Sequence, residues 1–62
     1  MTNEQIKALG VIVQALITSM GMQAENMQRE QQGYSMAYGD DAFYEQVQVI
    51  EKALEGLEAQ PQ

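Results

Sequence analysis

The sequence has no cysteine, no histidine and no tryptophan, a single proline, and only three cations, Lys7, Arg29 and Lys52. Each absence removes a class of answer. Without cysteine there is no disulfide, and without cysteine and histidine the usual zinc sites cannot form. The same two gaps remove the commonest general base and the strongest neutral-pH nucleophile, so no catalytic residue is assigned. Three scattered cations against nine acids leave a net charge of −6. That is too little positive charge to neutralise a run of phosphates, and direct nucleic-acid binding is not expected. An acidic surface instead keeps a protein in solution and steers it toward basic partners.

Sixty-two residues make one domain, 1–62. A chain of this size buries only about 60% of the surface its unfolded form exposes, so its own core is marginal. Small domains add a staple: a disulfide, a metal or a partner subunit. With the first two excluded and no cofactor implied, association with another chain is the expected one.

What the sequence does have is an uncharged run, "GVIVQALITSMGM", residues 10–22. It is shorter than the roughly 20 apolar residues a bilayer needs, and Gln14, Thr18 and Ser19 interrupt it. Glu4 precedes it and no A-x-A-like site follows, so it does not read as a signal peptide. The expectation is a soluble, cytoplasmic protein with no membrane partner.

Thr2 followed by Gln5 forms a capping-box pattern. From there Ile6, Leu9, Val13, Leu16 and Met20 recur at spacings of three and four, extended by Ala24 and Met27. This predicts a helix over about 3–31 with a coiled-coil-like seam. Gly33 is placed to end it in the left-handed conformation. A loop over about 32–40 follows, with Asp40 or Asp41 as the cap of the next helix. Phe43, Val47, Ile50, Leu54 and Leu57 give that second helix, about 41–59, with its acids outward. A frayed tail, 60–62, contains Pro61.

Two helices and a short loop predict an all-α fold, an antiparallel αα-hairpin. At 1.5 Å per residue the helices are about 42 Å and 28 Å long, so the second is expected to reach back only to about residue 13. Ile6, Leu9 and Ile12 would then lack intramolecular cover. Val11, Ile12 and Ile17 also lie off the main seam, leaving the first helix apolar almost all round, the pattern of a helix inside something larger. Ala8, Ala15 and Ser19 form a line of small residues that admits a close neighbour; Ala42, Val49, Ala53 and Gly56 offer another. The prediction is a homo-oligomeric helical bundle, a dimeric four-helix bundle first and a higher ring second. Its interface is assigned to Ile6, Leu9, Ile12, Val13, Leu16 and Ile17, with Ala8 and Ala15 alongside. The alternative is a break at Gly21 and a three-helix monomer.

Chemistry finds few candidates. Ser19 and Ser35 have no evident base. Glu25 or Glu30 facing Glu45 would pair carboxylates, but the Glu-x-x-His pattern of di-metal bundles is missing, and no metal is assigned. Met20, Met22 and Met27 read as core filling. Tyr34, Met36 and Tyr38 stand out in the loop: one tyrosine is expected to plug the open end of the hairpin and the other to serve recognition. These three, with Arg29, Lys52 and Glu45, are the candidate partner or ligand contacts.

The stretches "IKALG", opening an apolar helix, and "DDAFYEQVQVIEKALEGL", an aromatic-led second helix after a polar turn, give the chain a layout that resembles small phage-encoded helical-hairpin proteins. Those proteins oligomerise and sequester the nucleotide second messengers of bacterial immunity. The resemblance implies a stoichiometric binder in phage–host conflict, working in the host cytoplasm. It departs at one point: such sponges supply cations for phosphates, and this chain is acidic. Two readings follow. The first is a non-enzymatic, oligomeric binding protein, an inhibitor of a host defence protein that it contacts through its acidic face and tyrosine loop. The second is a sponge, holding a nucleotide between subunits with its base on Tyr34 or Tyr38 and its phosphates near Arg29, Lys52 and helix N-termini.

Overall fold

The computed structural model describes residues 1–58; the expected tail at 60–62 lies outside them. Two helices, α1 (Asn3–Gln31) and α2 (Asp40–Glu58), pack antiparallel as a hairpin. Their limits follow from local chemistry. The Thr2 hydroxyl accepts from the Gln5 N–H at 3.1 Å and the Gln5 side chain accepts from the Thr2 N–H at 2.9 Å, completing the capping box. At the other end Gly33 turns to φ 80°. The Tyr34 N–H then donates to the Arg29 carbonyl at 2.8 Å and the Gly33 N–H to the Glu30 carbonyl at 3.1 Å, the two bonds of a Schellman motif. α1 runs through Gly21 without a break, so the chain is not a three-helix monomer.

The start of α2 departs slightly from the sequence expectation. The Gly39 carbonyl accepts from the Ala42 and Phe43 N–H groups at 3.1 and 3.5 Å, which makes Gly39 the cap. Asp40 and Asp41 sit one step later, in the first turn, where their charge complements the helix dipole.

The reach of α2 is a larger correction. It does not stop near residue 13. Gly56 lies against Ala8, where a Cβ on the glycine would meet the alanine Cβ at 3.8 Å, and the Gln5 side-chain amide donates to the Leu57 carbonyl at 3.3 Å. The loop absorbs the length difference by folding back along the last turns of α1. Asn26 clasps it there. Its carbonyl oxygen accepts from the Ala37 and Tyr38 N–H groups at 3.0 and 2.9 Å, and its amide donates to the Tyr38 carbonyl at 2.7 Å. α2 therefore begins beside the middle of α1's polar stretch and ends beside its first turn.

The face of α1 that α2 covers is also not the large apolar seam. A line at Gln5, Ala8, Ile12, Ala15, Ser19, Met22, Asn26 and Arg29, spaced three and four, is shielded, with Glu25 at its edge. Opposite them α2 presents Phe43, Gln46, Ile50, Ala53 and Leu57. Small side chains at Ala8, Ala15 and Ser19 let the helices approach closely; Ser19 returns its hydroxyl to the Ala15 carbonyl at 2.9 Å and leaves no polar group unmatched. Among the described residues only Ala15 and Met22 are buried.

Candidate functional site

With α2 seated on the small-residue line, most of the large apolar side chains of α1 face away from it; Ile12 and Met22 are the two it shields. Leu16 is 55% exposed, Ile17 63% and Met20 62%, with Ile6, Leu9 and Val13 close behind. At 3.6 residues per turn this line runs about 120° around α1 from the face α2 covers. No charge falls on α1 between Lys7 and Glu25. On α2, Val47 and Leu54 flank the same side of the hairpin and are likewise exposed. The result is a continuous apolar face along one flank of a narrow bar, 52 × 16 × 8 Å.

Of the interface predicted from sequence, the structure brings Ile6, Leu9, Val13, Leu16 and Ile17 onto this open face or its edge. Ala8, Ile12 and Ala15 are corrected: they are taken up within the chain, against α2. The line of small residues does admit a neighbouring helix, and that helix is α2.

The opposite flank carries a shallow groove of about 350 Å³ lined by Ala8, Val11, Val49, Lys52, Ala53 and Gly56. A second, polar depression of about 310 Å³ lies at the loop end, formed by Glu25, Gln28, Arg29, Gln32 and Tyr34. Here Arg29 is held by Glu25 at 3.1 Å, both about half exposed, a helix pair worth roughly 0.3–0.5 kcal/mol. Lys52 sits in the other groove beside Val11, roughly 27 Å along α1 from Arg29 at 1.5 Å per residue. One hairpin thus does not bring its two predicted phosphate contacts together.

The loop is fixed by a polar contact that sequence reasoning missed. Neither tyrosine plugs the hairpin: Tyr34 is 65% exposed and Tyr38 39%, with Met36 also exposed. Asn26 closes that end instead. Its spacing from Ser19 and Met22 marks it as an inward position, the one signal the sequence held. Tyr44, on the outward side of α2, is a third exposed tyrosine. Glu45 is exposed on the same helix. Among the described residues no three acids come together as a metal-holding cluster.

α1 is long and apolar enough, by length and composition alone, to cross a membrane, with an 18-residue window of mean hydropathy 1.3. As folded, however, it would carry α2 with it. Glu51, Lys52 and Glu55 lie alongside that window, and each charge held at hydrocarbon depth costs on the order of 2.5–3.5 kcal/mol. The hairpin does not suit insertion unless α2 first lets go.

No family model matches the chain, and neither a curated protein nor a solved structure matches it.

Proposed function

We propose that this is a non-enzymatic interaction protein that works as a homo-oligomer, its copies joined through the open apolar face of α1. The observation that carries this is the row of large side chains from Ile6 to Met20, which its own second helix leaves uncovered. Areas support it. The chain exposes 5008 Å², whereas a compact monomer of 6.9 kDa exposes about 4,000 Å². The excess, roughly 1,000 Å², is close to the approximately 800 Å² that one partner contributes to a standard interface. With two side chains buried in the described chain, association supplies the core that the hairpin lacks.

Assembly through α1 leaves the outward side of α2 free, with Asp41, Glu45, Glu51, Glu55 and Glu58, and the loop with Tyr34, Met36 and Tyr38. A surface that is acidic, with exposed tyrosines at its edge, is matched by a basic protein partner. A host defence protein is the partner class this reading proposes.

Sedimentation velocity at micromolar concentration tests the assembly. The wild-type chain should sediment as a dimer or a higher oligomer, and Leu16→Glu as a monomer. A folded wild-type monomer overturns the reading. Capture from host lysate tests the outer surface: charge reversal at Glu45, Glu51 and Glu55 with Tyr34→Ala and Tyr38→Ala should abolish it. If instead cyclic nucleotides raise the melting temperature by mass action, the chain is a sponge.

A further inference from the structure

Resting on that self-association, we propose that the second copy docks antiparallel, α1 on α1, about a twofold axis passing between Val13 and Leu16. The open face of α1 follows a strict heptad. Ile6, Val13, Met20 and Met27 hold one position of the repeat, and Leu9, Leu16 and Gln23 hold the other. In antiparallel pairing the first kind faces the second kind on the partner helix. With the axis between Val13 and Leu16, each Val13 meets the second copy's Leu16 and each Leu9 meets the second copy's Met20. All four central layers are apolar. Gln23, the first polar residue of the row, falls at the rim opposite Ile6, where water reaches it.

The flank of the row agrees. Gly10 is open, with nothing within 4 Å of an added Cβ, and in this register it lies beside the second copy's Ile17, the most exposed isoleucine. A glycine there leaves room for a side chain that its own subunit does not cover. Parallel pairing in register fits less well. It sets Gln23 against Gln23 inside the seam and Glu30 against Glu30 at the next repeat. It also brings the like ends of the helix dipoles together, along with the acids at the loop end, Glu25, Asp40 and Asp41. Antiparallel docking separates those ends by the length of the bar.

Because the chain has no cysteine, one can be introduced without background. Gln28→Cys, on the polar side of α1, carries a nitroxide label, and pulsed electron paramagnetic resonance reads the distance between the labels of a dimer. The antiparallel register places them about 40 Å apart along the axis at 1.5 Å per residue. Mixing Gly10→Cys with Ile17→Cys chains under mild oxidation should yield the mixed disulfide dimer ahead of either self-linked one. A dimer with Gln28 labels closer than about half that distance overturns the register while leaving self-association standing. A monomer in sedimentation overturns both. A monomer that partitions onto neutral phosphatidylcholine vesicles overturns both as well and gives the apolar face to a bilayer.

Discussion

Asn26 satisfies three loop backbone groups, at Ala37 and Tyr38, with one side chain and ties the second half of the loop to α1. It is only partly shielded, so water replaces some of what is lost on truncation. Asn26→Ala should lower stability by about 1–2 kcal/mol, the cost of several partly exposed hydrogen bonds. Asn26→Asp keeps the two acceptor bonds and sets a carboxylate against the Tyr38 carbonyl, so it should fall between wild type and alanine. Urea unfolding followed by circular dichroism reads both. An unchanged midpoint for Asn26→Ala would mean that the turn holds itself through Gly33 and Gly39 alone. Gly33 is the second such residue. At φ 80° a side chain meets the left-handed penalty, and Gly33→Ala should cost about 1–2 kcal/mol although no atom lies within 4 Å of the new methyl group.

At the scale of the element, α1 is a helix with three differently built sides. The small-residue line faces α2, the large apolar row faces out, and Lys7, Gln14, Gly21 and Gln28 mark a polar side between them. Gly21 lies on that polar side, in helical conformation with open space around it. Gly21→Ala should therefore raise stability by up to about 1 kcal/mol through helix propensity and leave the oligomeric state unchanged. A scanning melt and one sedimentation run check both halves. A change in oligomeric state would place Gly21 in an interface.

The helix limits were legible in the sequence because capping boxes and terminal glycines act locally: Thr2, Gln5 and Gly33 each do what their residue type predicts. The hairpin itself was legible from spacing. Which face of α1 meets α2 was not. Periodicity ranks faces by hydrophobicity and so favours Ile6, Leu9 and Leu16, whereas close packing of two helices favours small residues such as Ala8 and Ala15, which allow short interaxial distances. The reach of α2 was misread for a related reason: counting residues cannot show that a loop doubles back, since that depended on one side-chain amide. Only the amino-terminal part of the exposed row, Ile6 and Leu9, was expected to lack cover from α2, and for the wrong cause; Met20 and Met27, read as core filling, are exposed. The row is open because α2 sits on another face, not because α2 is too short.

For the whole molecule, a Cα radius of gyration of 15.0 Å, against about 11 Å for a compact chain of this length, describes a bar with little interior of its own, which the proposed assembly would supply. Folding and association should then be one process. The melting temperature should rise with protein concentration, since association stabilises the folded form by mass action, and Leu16→Glu should remove that dependence. Each buried leucine contributes about 1.5–3 kcal/mol and twofold symmetry counts it twice, so the dimer should weaken by at least a hundredfold. Salt separates the two surfaces by sign. In the proposed dimer the seam is uncharged while each copy carries −6, so screening their mutual repulsion should tighten dimerisation. Capture of a basic partner by the outward acids of α2 should weaken over the same range as the Debye length shortens from about 10 Å at 0.1 M to about 3 Å at 1 M. Sedimentation equilibrium and partner capture, each run across that range, should move in opposite directions. A dimer that dissociates as salt rises would mean that charge pairs, not the row from Ile6 to Met20, hold the copies together.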